Sequence, residues 1–173
     1  MLTKKVEEAL NHQIAYEAYA SSSYLSMASW CEIQGLRGAA AFFYAQSDEE
    51  RMHMLKIIRY INTAGGHAIV PSVKEPANAY KSLKDVVEIS LHQEQDVTKQ
   101  INKLVELSFE AKDFATHHFL QWYVAEQLEE ENLFTTILNI IKLGGKDEQR
   151  SLLIIDNEIA KIRGENGESS EEE

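Results

Sequence analysis

Four stretches of this chain repeat apolar residues at alternating spacings of three and four, and each repeat is interrupted near its middle by a carboxylate. That spacing places a stripe of side chains on one face of a helix. The first series reads Val6, Leu10, Gln13, Glu17, Ala20, Tyr24, Met27, Cys31, and the second Ala39, Phe43, Gln46, Glu50, His53, Ile57, Tyr60, Ala64. The third reads Leu83, Val87, Ser90, Glu94, Val97, Ile101, Leu104, Ser108, and the fourth Thr116, Leu120, Tyr123, Gln127, Glu130, Phe134, Ile137, Ile141. Four helices with one buried stripe each form an all-α four-helix bundle.

The breaks between the series set the topology. Thr3 caps a first helix that runs to about Gln34. Gly35 and Gly38 bracket a turn so short that the second helix, about Gly38 to Ala64, must run antiparallel to the first. Gly65 and Gly66 stop it. Residues 65–82 hold both prolines, Pro71 and Pro76, and read as an extended connection. At ~3.3–3.6 Å per residue such a segment spans roughly 60 Å, against about 40 Å for the second helix. It can cross the bundle and start the third helix parallel to the second. Ser82, with Asp85 three residues on, opens that helix, which runs to about Ala111. A break near Lys112–Asp113 leads to a fourth helix ending near Gly144–Gly145. A short fifth follows, Asp147 to about Arg163, with the apolar run Leu152, Leu153, Ile154, Ile155. One domain, residues 1–164, and an acidic tail, 165–173, expected to be disordered, complete the chain.

Composition bounds the partners. Among 173 residues the formal net charge is −11, and the tail from Glu165 supplies five of the 28 acids and no base. The remaining body holds 23 acids against 17 bases, a balance that repels nucleic acid and anionic membranes and attracts cations. The single cysteine, Cys31, cannot close an intrachain disulfide, which suggests a reducing compartment. The N-terminus turns charged at once and has no apolar signal core, and no apolar run approaches the ~20 residues of a membrane span. The expectation is a soluble cytoplasmic protein.

Glutamate is among the residues least often buried unpaired. Glu17, Glu50, Glu94 and Glu130 all fall mid-stripe, and no lysine or arginine lies on any of the four stripes. Facing one another without counter-charge, they would protonate or cost several kcal/mol each, so metal cations are the economical partner. The competing possibility is that the stripes are rotated and the acids face solvent. Glu50-x-x-His53 places a carboxylate and an imidazole one turn apart on one face, a pair that can grip a divalent ion. A site of carboxylates with a single imidazole suits iron or manganese better than zinc. Carboxylate bundles of this type use one glutamate from each of two helices and Glu-x-x-His from each of the other two. Here Glu17 and Glu94 are the single acids, and Gln127-x-x-Glu130 stands where the second Glu-x-x-His would be.

With these residues the chain resembles the non-haem ferritins, above all the bacterial kind, over all five helices. The resemblance implies a ferritin-like bundle with a long crossover between helices two and three. It implies oxidation of Fe(II) to Fe(III) by O2 (or H2O2) at a di-iron ferroxidase centre within each subunit. Storage would be as a ferric mineral in a hollow homo-oligomeric cage of two dozen subunits. By motif, Glu17, Glu50 and His53 match the first iron position. Glu50 bridges to a second completed by Glu94 and Glu130, with Gln127 nearby. Tyr24 matches the family's tyrosine beside the centre, an ordinary core tyrosine being the alternative. Glu49, Glu126 and Glu129 match a third iron site, a solvated acidic face being theirs.

Several relatives fit less well. Haem-binding bacterioferritins place methionine directly after the bridging glutamate; here that position is Arg51, and Met52 points about 100° away around the helix. No haem is therefore expected. One cysteine cannot supply the Cys-x-x-Cys pairs of rubrerythrins. The smaller DNA-protecting relatives lack a fifth helix. His12, His67, His92, His117 and His118 lie off the stripes, in the crossover or at the start of the fourth helix, and read as surface or packing residues. His117 and Leu120 stand where animal ferritins place the acids of their three-fold pores. Two rivals remain from other classes: a metal-free bundle serving as an interaction module, and a di-iron oxygenase acting on an organic substrate.

Overall fold

The computed structural model describes residues 2–144 and 148–166, the side chains of 148–150 and 163–166 aside. Five helices occupy the described residues: α1 (Lys4–Ile33), α2 (Arg37–Thr63), α3 (Leu83–Glu110), α4 (Phe114–Leu143) and α5 (Glu148–Asn166). Three of them start at a residue whose side chain caps the first turn. Thr3 Oγ1 accepts from the Val6 amide at 3.3 Å, Ser82 Oγ from Asp85 at 3.1 Å, and Asp113 Oδ1 from Thr116 at 3.1 Å. Three helices end alike, with a residue at positive φ just past the cap: Gly35 at 78°, Gly65 at 84° and Lys112 at 54°. The following amide then reaches back five residues, Leu36 to Cys31, Gly66 to Ile61 and Asp113 to Ser108, each at 2.9 Å. This closes the last turn in the manner of a Schellman motif.

Side-chain pairs fix the directions. Ser21 meets Ser47, and Tyr24 stacks on Phe43, so α1 and α2 run antiparallel. Tyr24 meets Glu94 and Met27 meets Ser90, so α1 and α3 do too. Tyr60 meets Thr116 and Gln46 meets Glu130, which sets α4 against α2. The crossover runs up the outside of α1. The His67 amide donates to Glu7 Oε1 at 2.8 Å, the Ile69 amide to Asn11 Oδ1 at 2.7 Å, and Ser26 Oγ to the Ala77 carbonyl at 2.7 Å. It therefore delivers α3 parallel to α2, as its length allows.

The stripes are the core, with one correction. Every stripe residue of α1 and α3 is buried, but Tyr60 and Ala64 of α2 and Ile141 of α4 are only half-buried, while Ile61 is fully buried. A strict seven-residue repeat drifts ~20° per heptad against an α-helix, and by the end of α2 the drift has brought Ile61 inward. Two apolar clusters result. One is built on Tyr24, Phe43, Phe134 and Met27, the other on Leu10, Ile57, Leu120 and Ile101. The polar mid-stripe residues lie between them.

α5 docks on the N-terminus of α2. Asp156 Oδ2 accepts from the Gly38 amide at 3.0 Å and Oδ1 from Ala39 at 2.8 Å, replacing the cap that Leu36 cannot supply. The approach requires glycine: a Cβ on Gly38 would sit 2.0 Å from the Asp156 carbonyl oxygen. Ile155 and Ile159 pack inward, while Leu152, Leu153 and Ile154 are exposed. Gly145, Asp147 and tail residues 167–173 lie outside the described residues. No helix among those described is long and apolar enough to cross a membrane.

Candidate metal centre

Glu17 of α1, Glu50 and His53 of α2, Glu94 of α3, and Gln127 and Glu130 of α4 converge midway along the bundle. None of the six is more than 4 % exposed, so the stripes are not rotated. One carboxylate oxygen each of Glu17 and Glu50 and a ring nitrogen of His53 lie within 4.8 Å of one another. His53 Nδ1 is 3.4 Å from Glu50 Oε2, the contact that three-residue spacing on a helix provides. The Tyr123 hydroxyl donates to the His53 carbonyl at 2.8 Å, and the Trp122 ring meets the imidazole edge-on at 5.2 Å.

Three of the four carboxylates rest on a glutamine amide. Gln13 Nε2 donates to Glu17 Oε1 at 2.9 Å, Gln46 Nε2 to Glu130 Oε2 at 2.8 Å, and Gln127 Nε2 to Glu94 Oε2 at 3.1 Å. Gln127 also reaches the Glu94 carbonyl at 3.2 Å and Thr98 Oγ1 at 3.4 Å. The other oxygen of Glu94, Oε1, accepts from the Tyr24 hydroxyl. Tyr24 is fully buried and packs against both Phe43 and Phe134, so it is a core tyrosine and a partner of the centre at once.

The electrostatics are those of negative charge withdrawn from water. Burial pushes Glu94 up to about 7, against the hydrogen bonds from Tyr24 and Gln127. Burial raises Glu17 as well, against hydrogen bonds from Glu50 and Gln13. Glu50 lies well above the ordinary range, from burial first and then from the charges of Glu94 and Glu17. Its hydrogen bond with Glu17 acts in the same direction, favouring the protonated form of Glu50. All three shifts favour protonated carboxyls, and a divalent cation would relieve the same crowding by displacing protons. The donor set is carboxylate oxygen with one imidazole nitrogen, which fits iron.

A second group shares the same imidazole. Glu49, His53 and Glu126 each bring a ligand atom within 4.8 Å of the others. Both acids are half-buried, and Glu126 is pushed up to about 7 by burial and by the charges of Glu49 and Glu129. Glu129 itself is exposed and stands outside the group. Lys56 acts on Glu126, lowering it in part, and its Nζ is 3.3 Å from the centre of the Trp122 ring.

His12, His67, His92, His117 and His118 join neither group. Gln13 and Gln46 were visible in the sequence as polar interruptions one turn before Glu17 and Glu50, but their partners were not. Thr98, Trp122 and Lys56 lie off the stripes and carried no periodic signal. Met52 is 68 % exposed on the outside of α2.

A ferritin-like domain is matched over residues 7–144. The chain is 46 % identical over 162 residues to a bacterial non-heme ferritin of Campylobacter jejuni, covering 94 % of this chain and 96 % of the relative. It is 41 % identical, over 94 % of its length and 98 % of the other's, to a probable bacterial non-heme ferritin-like protein of Haemophilus influenzae. Among solved structures, an open pore ferritin from Archaeoglobus fulgidus superposes with a TM-score of 0.89 at 40 % identity, covering 92 % of this chain and 98 % of that one.

Proposed function

Because this chain belongs to the ferritin family, we propose that it stores iron, oxidising Fe(II) to Fe(III) at the buried centre and holding the product as a ferric mineral inside a homo-oligomeric cage. The observation that carries this reading is the burial of four carboxylates and one imidazole at one level of the bundle, with no lysine or arginine on the facing stripes. Two Fe(II) ions supply the missing positive charge.

Iron is substrate here. Glu17 and His53 hold the first ion, Glu50 spans both, and Glu94 and Glu130 hold the second with Gln127 beside them. Each Fe(II) gives up one electron, and the pair, with two protons, reduces O2 to H2O2 or H2O2 to two waters. Tyr24 orients Glu94 through its hydroxyl. The bound ions displace protons from Glu17, Glu50 and Glu94, and these leave as the metal enters. The ligand sets are unequal, since the second position has an amide where the first has an imidazole. The second ion is held more weakly and leaves first. Glu49 and Glu126, with Glu129 further out, receive it on the way to the cavity. The exposed Leu152, Leu153 and Ile154 of α5 supply a contact between subunits. No haem is required, and the acidic, disulfide-free chain works in the cytoplasm.

The test is iron loading of the purified protein. Apoprotein given Fe(II) anaerobically and then air should yield electron-dense cores inside discrete particles of uniform size. A stable monomer or dimer of the 19.7 kDa chain, with iron precipitating in the buffer, would overturn the storage reading.

A further inference from the structure

Gln46 has no exposed surface, and it joins the two helices that carry the most site residues. It lies one turn before Glu50 on the inner face of α2 and donates from Nε2 to Glu130 Oε2 of α4 at 2.8 Å. Both partners stand at the same boundary of the site. Gln46 is three residues from Phe43 on α2, Glu130 four residues from Phe134 on α4, and the two rings stack with centroids 6.4 Å apart. An aromatic layer thus closes this end of the centre, and the Gln46–Glu130 bond lies against it. The other glutamine amides work differently. Gln13 holds a glutamate of its own helix, and Gln127 belongs to the second iron position itself. Gln46 is a neutral group with no assigned contact to iron, yet it reaches across the bundle to one of the ligands.

We propose that Gln46 is a positioning residue for the second iron position: its amide holds Glu130 against α2, level with Glu50, before iron arrives. The proposal rests on reading the centre as a two-metal site. A glutamate side chain has three torsions to order, and ordering costs free energy whenever it occurs. If a hydrogen bond fixes Glu130 during folding, that cost is not charged to metal binding. Partners that orient a ligand typically change metal affinity by 10–100-fold when removed. The effect belongs to the second ion, because Glu17, His53 and the hydrogen bond from Gln13 lie elsewhere.

Calorimetric titration of the iron-free, full-length protein with Zn(II), which is redox-inert, separates the two steps. The native chain should bind two ions per subunit in unequal steps. Gln46→Met keeps the length and packing and removes the donor. It should leave the first step unchanged and weaken the second roughly tenfold. A second step in Gln46→Met equal to the native one would overturn the proposal. So would equal weakening of both steps with a lowered melting temperature, the signature of a merely structural bond. Gln46→Leu makes the same comparison should the methionine variant fail to fold. A native chain that binds fewer than two ions per subunit would bring down the two-metal reading itself, a result distinct from an unchanged second step.

Discussion

Glu126 brings Oε1 to 3.9 Å from Nε2 of His53, while the other ring nitrogen, Nδ1, faces Glu50 Oε2 at 3.4 Å. One imidazole thus belongs to both the inner and the outer acidic group. His53→Ala should therefore slow the rapid phase of Fe(II) oxidation by roughly tenfold or more, with helical content unchanged. Stopped-flow absorbance measures it. Initial rates equal to those of the native chain would remove His53 from the centre.

The iron-free protein should lose stability as pH rises through neutrality. Glu94 and Glu126 are each pushed up to about 7 in the folded chain from an ordinary 4.5, and Glu17 and Glu50 move in the same direction. The folded state then holds its protons more tightly than the unfolded one. Their contribution is complete below about pH 4.5 and is lost as pH rises through about 7. The melting temperature of apoprotein should fall between about pH 5.5 and pH 8, and saturating Zn(II) should cancel the fall by supplying the charge that protons supply at low pH. Scanning calorimetry decides the matter, and an apoprotein midpoint that is flat or rising over that interval would count against a cluster of buried, protonated acids.

What the sequence made legible followed from periodicity. Glu17, Glu50, Glu94 and Glu130 could be picked out because each interrupts an otherwise apolar stripe, and a carboxylate inside a bundle needs a partner. The crossover was legible because both prolines fall within it. The glutamine partners were not, since whether Gln46 meets Glu130 depends on the relative height of α2 and α4, which no single helix encodes. Lys56, Trp122 and Thr98 stand beside the stripes, where spacing is silent. Tyr60 and Ala64 were misplaced because a seven-residue template was carried too far along a helix of 3.6 residues per turn.

Asp156 caps α2 from 117 residues further along the chain than Ala39, its closer partner, and the contact has a sharp steric condition. Asp156→Ala should cost about 1–2 kcal/mol, the usual loss for a helix N-cap. Gly38→Ala should cost more, because its Cβ would meet the Asp156 backbone at 2.0 Å and force α5 away. Thermal unfolding of both variants, with their oligomeric size by light scattering, tests this. If Gly38→Ala melts with the native protein, α5 does not sit where it is described.

Unequal ligation should govern turnover. Gln127→Glu combined with Glu130→His recreates the second Glu-x-x-His and should retain iron at the centre. The first addition of iron would then be oxidised near the native rate and later additions progressively more slowly. Oxygen uptake over repeated additions of two ions per subunit follows this. Full rate through many additions would mean that ligand asymmetry is not what releases the product.

The central claim is that iron held by the buried carboxylates and His53 is rapidly oxidised there by O2. Its most direct test is the initial rate of Fe(II) oxidation after air is admitted to protein holding two Fe(II) per subunit, set beside protein-free buffer and the double variant Glu17→Ala, Glu50→Ala. The native chain should oxidise its iron at least roughly tenfold faster than either, since losing even the partners that orient a ligand costs about 10–100-fold. A native rate no higher than that of the buffer, or a double variant as fast as the native chain, would contradict the account.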